Sequence, residues 1–308
     1  MRRGLLILAI ATAICCATTD DPTRFERRTL TPGPNPFGAG DPLYSRQPHR
    51  DHPYALALSA DESKLYVALQ GSEDEPGHEV VVVDLARLSV VRRIPVGSSP
   101  TGLELHPGGR FLVVTNRFAN FASVIDTRTD AVVAEMPAPF YTVDLAFTPD
   151  GRRAFLTNRW KDSVLRWELA VDETFSVVAD DYSALPPDGP MGVPVGDNPR
   201  SIVVDETGLR AYVASPTGLS LSILDLAAGR ELRRVDLNAP PGDVRLVGKY
   251  VVVTHTGKGS QHPPDEGFDG DGDGTPGDGT ANVMFQDLQN EIAVFDRDGR
   301  LVQNATSE

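Results

Sequence analysis

PTGLELHPGGRFLVVTNRFANFASVIDTRTDAVVAEM, residues 100–136, holds one full copy of the pattern that decides the fold. A short apolar run ends at the turn Pro107-Gly108-Gly109. A second run, residues 111–115, follows it. A third closes on Asp126, and an alternating stretch completes the unit. Similar copies lie at 56–84, 145–168 and 202–225, with a weaker one opening near Val244 and resuming at Ile292. Short strands, steric turn residues between them and a period of roughly forty residues predict four-stranded blades. The expected fold is therefore all-β, a β-propeller with about five visible blades over residues 51–308.

The copies align on Gln70, Asn116, Asn158, Ser215 and His255, each at the end of a second strand. Asp84, Asp126, Glu168, Asp225 and Asp296 close the third strands. Departures from this register are insertions, the largest being residues 256–290.

Residues 100–136 resemble the YVTN-type β-propeller repeat, whose motif reads Val113-Val114-Thr115-Asn116 here. The third and fourth copies depart from it, as Phe155-Leu156-Thr157-Asn158 and Tyr212-Val213-Ala214-Ser215. The resemblance covers roughly residues 50–303 and implies a bacterial envelope or surface propeller. Propellers of this type usually close with seven blades, which implies a truncated seven-bladed ring as the alternative to five. Relatives include surface-layer proteins, periplasmic binding proteins and, more distantly, lactonases, so the resemblance carries the fold and not the chemistry.

Residues 1–17 read as a signal peptide: Arg2 and Arg3, an apolar run, then Cys15-Cys16-Ala17. Three routes stand, plain cleavage, lipid attachment at Cys15 or Cys16, or retention as an uncleaved anchor; residues 18–50 read as a tether and irregular lead-in. Export to the periplasm, outer envelope or cell surface is expected, with membrane association only through a lipid anchor. Both cysteines of the chain fall in this segment, so the expected mature domain has no disulfide, thiolate metal site or haem attachment. The net charge of −14 and the absence of a basic stripe argue against nucleic acid as a partner. No phosphate loop or serine elbow is present, so no nucleotide cofactor is expected.

Three places carry candidate chemistry. The acidic insertion contains Asp269, Asp271 and Asp273 at alternate positions, then Gly274 and Thr275. Alternate carboxylates of this kind converge on Ca²⁺, with the glycine permitting the turn and Thr275 offering its carbonyl. The bidentate glutamate of the EF-hand is missing; Asp278 is the nearest substitute. The second place is the axis. Glu104 and Asp144 interrupt first-strand rows that are otherwise small or apolar, and a pair of inner carboxylates suits a metal or a general base. The third is the face that gathers the long connections, the top. Arg117, Arg159, Arg200, Tyr141 and His255 stand at its rim, with Tyr54 beside them, and arginines so placed grip anions through bidentate bonds. Phe118, Phe121 and Trp160 read as packing.

The functional expectation is a non-catalytic propeller that binds a protein or small ligand on its top face, with a Ca²⁺-ordered loop. One alternative is a lactonase-like or metal-dependent hydrolase using Glu104 and Asp144. The other is a scaffold for a c-type cytochrome or di-haem peroxidase system, implied by the likeness of the segment ending GTANVMFQDLQNEI to insertions of envelope propellers.

Overall fold

The structure is a computed structural model describing residues 52–72, 75–184, 190–255 and 291–306. Blade one comprises β1 (Pro53–Leu58), β2 (Lys64–Gly71), β3 (Pro76–Asp84) and β4 (Ser89–Pro95). Blade two comprises β5 (Pro100–Leu105), β6 (Phe111–Asn116), β7 (Phe121–Asp126) and β8 (Ala131–Pro137). Blade three comprises β9 (Thr142–Phe147), β10 (Arg153–Asn158), β11 (Ser163–Val171), β12 (Phe175–Asp180) and the short β13 (Val193–Pro194). Blade four holds β14 (Ser201–Val204), β15 (Arg210–Ser215), β16 (Ser220–Asp225) and β17 (Arg230–Asp236). Blade five holds β18 (Pro241–Val247), β19 (Tyr250–His255), β20 (Glu291–Asp296) and β21 (Leu301–Thr306). Each blade is an antiparallel meander, its strands ordered as in the chain. The all-β propeller expected from the repeat is the fold observed.

Burial follows position within the blade. Every residue of β6 is buried, because a second strand packs against neighbouring blades on both faces. The outermost strand β17 is largely exposed and reads RELRRVD. The cores lie between blades. Phe111, Val113 and Val124 of blade two meet Leu145, Leu156 and Trp167 of blade three in one cluster, and blades four and five share another around Tyr212, Ile223, Val251 and Phe295.

The turns account for the repeated Gly and Asp. In the first hairpins Gly109, Gly151 and Gly208 have φ of +77°, +68° and +69°, where a Cβ would be strained. Each donates its N–H three residues back, to His106, Thr148 and Asp205. At the second hairpins the closing carboxylates cap the turn: Asp84 Oδ1 accepts from the N–H groups of Ala86 and Arg87, and Asp225 Oδ1 from those of Ala227 and Ala228. Asp126 and Asp296 do the same.

Glu168 does not. It pairs with Arg153, in the same register as its counterparts, but β11 runs on to Val171 and the turn is capped by Asp172. Glutamate is one methylene too long for the cap that aspartate makes, and the hairpin extends until an aspartate is reached. Two insertions into the repeat register, one between β2 and β3 and one between β12 and β14, are also partly strand. β2 and β3 extend until only residues 72–75 separate them, and β13 pairs with Ser163 and Val164 of β11. β12 and β13 thus share the fourth-strand place of blade three.

One contact recurs between successive blades. The start of each second strand reaches the third-to-fourth turn of the next blade, on the bottom. Tyr66 donates to Asp130 at 2.6 Å, Arg110 to Glu173 at 2.7 Å, Arg153 to the Leu226 carbonyl at 3.4 Å, and Tyr212 to the Arg297 carbonyl at 3.0 Å. Arg210 adds an ion pair with Asp298 at 2.9 Å. Arg110, Arg153 and Arg210 on the bottom are thereby committed to joining blades.

Candidate functional site

The top face carries the opposite arrangement. Second strands of blades two and three end in Asn116-Arg117 and Asn158-Arg159. Asn158 holds its turn by donating to the Phe140 carbonyl at 2.9 Å and accepting from the Lys161 N–H at 3.0 Å. Asn116 likewise donates to the Phe121 carbonyl at 3.1 Å. These amides fix the direction in which the following arginines leave the strand. The guanidinium of Arg117 lies over the rings of Phe118 and Tyr141, 4.6 and 5.0 Å from their centroids. That of Arg200, from the lead-in to β14, lies 5.3 Å from the ring of Tyr54 in blade one. Arg159 stands among them. Its own burial and the charges of Arg117 and Arg200 hold its pKa below the usual guanidinium value, while Tyr54 and Tyr141 act in the other direction. The sequence-predicted ring of Arg117, Arg159, Arg200, Tyr141 and Tyr54 is one spatial group drawn from four blades.

Neither Arg159 nor Arg200 forms an ion pair among the described residues. Arg159 Nε donates instead to the Asn198 Oδ1. Asn198 is itself held: its Nδ2 donates to Thr217 Oγ1 at 3.0 Å and its N–H to Asp162 Oδ1 at 2.7 Å. Asn198 and Tyr141 both have positive φ, +60° and +66°, and for an aromatic residue that is a costly conformation that surrounding contacts must impose. Beside Arg159 runs an open groove of about 680 Å³, lined by Phe140, Tyr141, Trp160, Asp162, Asp197, Asn198 and Thr217.

Trp160 departs from its sequence reading. It is 64% exposed and forms a wall of this groove, with Phe140 and Tyr141 packed against it nearly at right angles. The buried indole is that of Trp167. His255 stands apart from the groove; its Nδ1–H donates to the Ala239 carbonyl at 2.9 Å.

The axis is the second charged region. First-strand residues at equivalent register are Ala55, Gly102, Asp144, Ser201 and Asp243, and two positions on, Ala57, Glu104, Ala146, Val203 and Arg245. Sequence alignment of the degenerate fifth copy missed Asp243 and Arg245, which pair at 3.1 Å. They put a third carboxylate and a cation beside Glu104 and Asp144. Asp144 Oδ2 accepts from the Ile202 N–H of blade four at 3.1 Å, and Ser201 donates to Asp243 at 2.5 Å, so the axial row also ties blades together. Burial, opposed by Arg245, pushes Asp144 up to about 7. Glu104 keeps an exposed surface yet has protein on most sides, and that desolvation together with the Asp144 charge raises it to about 7. Two carboxyls whose proton affinity is raised toward neutral pH can exchange protons with a ligand or with each other. No group of three metal-ligating side chains gathers among the described residues.

The expected Ca²⁺ ligands Asp269, Asp271, Asp273, Thr275 and Asp278 lie outside the described residues, as does the segment 1–51.

No protein-family profile matches the sequence, and no curated protein matches it. Among solved structures, the chain is similar to Kuenenia stuttgartiensis hydrazine synthase, with a TM-score of 0.62 and 19% identity over 88% of this chain and 70% of that one. It is also similar to a protein of unknown function from Desulfotomaculum acetoxidans DSM 771, with a TM-score of 0.50 and 18% identity over 82% of this chain and 85% of that one. At such identities the likeness concerns the propeller fold alone.

Proposed function

We propose that this chain is an exported, non-catalytic propeller of YVTN type that binds an anionic ligand or protein group on its top face. One observation carries the reading. In a protein of net charge −14, three arginines converge at the top, and two of them lack an acidic partner among the described residues. Bottom-face cations such as Arg110 and Arg210 are paired across blades. Clustering like charges costs free energy, and an incoming anion relieves that cost.

Thermal-shift measurements with a panel of carboxylate and phosphate anions test this. Stabilisation by at least one anion is expected. Charge reversal at Arg159 or Arg200 is expected to weaken that anion's binding roughly tenfold or more, since loss of a hydrogen-bonded charge contact costs about 1–3 kcal/mol. Reversal at the exposed bottom residues Arg128 and Arg152 should leave it unchanged. Equal sensitivity at top and bottom would sink the assignment.

The acidic insertion is proposed to bind Ca²⁺ through Asp269, Asp271 and Asp273, with the Thr275 carbonyl and Asp278 completing the set. Calorimetric titration with CaCl₂ should give saturable heat that Asp271→Ala abolishes. Absence of heat at millimolar calcium would refute the site.

A hydrolase remains the second reading, favoured by the raised carboxyls Glu104 and Asp144. It forecasts loss of any hydrolytic activity in Glu104→Gln and Asp144→Asn with anion binding at the top intact.

A further inference from the structure

The groove beside Arg159 has a chemistry more specific than positive charge. Trp160 is braced by Phe140 at 5.9 Å and Tyr141 at 6.3 Å, with interplanar angles of 74° and 88°, and still leaves 64% of its surface exposed. A braced but uncovered indole is a rigid apolar surface onto which a second flat group can stack with little loss of side-chain entropy.

Next to it, the Arg159 guanidinium is oriented through Nε by Asn198, and its two Nη groups have no hydrogen-bond partner among the described residues. That leaves the planar fork that matches a carboxylate with two parallel bonds. Asn198 is locked by Thr217 and Asp162, so the fork is aimed before any ligand arrives. Asp162 and Asp197 line the same groove. Their charges repel a second negative group and so disfavour polyanions. The volume of about 680 Å³ lies in the range that holds a small molecule or a few residues of peptide.

We propose that the groove binds an aromatic monocarboxylate, its carboxylate on the Arg159 fork and its ring against Trp160. This rests on the top-face reading above and narrows it to a ligand class. A free aromatic acid and a peptide ending in an aromatic residue share this chemistry, and the experiment separates them.

The full-length chain is titrated by calorimetry and by tryptophan emission with four probes: phenylacetate, N-acetyl-Ala-Phe, acetate and phenethylamine. The chain has two tryptophans, and only Trp160 is exposed, so an emission change reports on the groove. Saturable binding of phenylacetate or of the peptide is expected, at least tenfold tighter than acetate or phenethylamine, and the tighter of the two identifies the source. Trp160→Phe should abolish the emission change while calorimetric binding persists. Arg159→Gln and Arg159→Lys should each weaken binding at least tenfold, the lysine failing because a point charge cannot replace the fork. Asn198→Ala, which frees the guanidinium without removing it, should weaken binding several-fold.

The proposal is overturned if neither aromatic acid binds saturably, if acetate or phenethylamine binds as well, or if Arg159→Gln leaves affinity unchanged. Should the aromatic acids fail while another anion still stabilises the protein in an Arg159-dependent way, the ligand class is wrong and the top-face reading stands. Should no anion depend on Arg159 or Arg200, both fall.

Discussion

Trp167→Ala is expected to destabilise the protein by about 4 kcal/mol, within the range typical of a buried tryptophan replaced by alanine. Trp167 is fully buried in the core between blades two and three, among Leu145, Phe147, Leu156 and Phe175. Its Nε1–H donates to the Tyr182 hydroxyl at 2.6 Å, and that hydroxyl donates to the Pro137 carbonyl at 2.6 Å. Truncation therefore opens a large cavity and removes the donor that completes a buried relay across the blade boundary. Against a total stability of about 5–15 kcal/mol this is a large fraction. At about 2–4 °C per kcal/mol for a domain of this size, the melting temperature should fall by roughly ten degrees. Trp160→Ala supplies the control. The same substitution seven residues earlier removes an indole that is mostly in water, and should change stability by about 0.5 kcal/mol or less. Thermal and urea denaturation of both variants decide the matter; a comparable loss in Trp160→Ala would mean that the two indoles have been assigned to the wrong environments.

The second large effect is on pH dependence. Asp144 is raised from its ordinary 3.8 to about 7 in the folded chain, chiefly by burial. The folded state thus holds this proton more tightly than the unfolded chain does. The associated stability is complete below about pH 4 and is lost progressively as pH rises to 7. Each tenfold difference in proton affinity between the two states is worth about 1.4 kcal/mol, so the loss is on the order of 2–4 kcal/mol for a group this enclosed. Glu104 acts in the same direction, with its share reduced because its side chain is exposed to solvent. The melting temperature of the native chain should therefore fall between pH 4 and pH 7. In Asp144→Asn that slope should flatten. The absolute stability of the variant is a poorer guide, because asparagine cannot accept from both the Leu145 and Ile202 N–H groups as the carboxylate does. A double variant, Glu104→Gln with Asp144→Asn, that keeps the full native slope would show that the axial carboxyls are not the titrating groups.

The two tryptophans mark where sequence reading runs out. Both lie within ten residues of the same apolar second strand, and the repeat register puts Trp160 just after Asn158 and Trp167 just before the strand-closing Glu168; what it does not give is which indole reaches the interblade core. Position along β11 does: Trp167 pairs opposite Ala154, at a register that faces blade two, whereas Trp160 sits in the turn between β10 and β11. The axial group shows the same limit. Glu104 and Asp144 stand out in their rows because their own repeats are regular. Asp243 and Arg245 lie in a copy too degenerate to align, and only pairing with Thr254 and Val252 places them in the same rows.

Features encoded within a few residues of one another were legible in the chain alone. Alternating apolar runs specify strands, Gly109, Gly151 and Gly208 specify left-handed turns, and Asp84, Asp126, Asp225 and Asp296 cap the hairpins that follow. Repetition of those local units dictates blades, and blades whose two faces are both apolar must stack around an axis. Features that depend on which blades meet came only with the three-dimensional arrangement. Arg117, Arg159, Arg200 and Tyr54 come together from four blades, and the Asn198–Arg159 bond joins residues 39 positions apart. Such juxtapositions follow from the angle and spacing of whole sheets, set by interblade packing, and no local run of residues carries them.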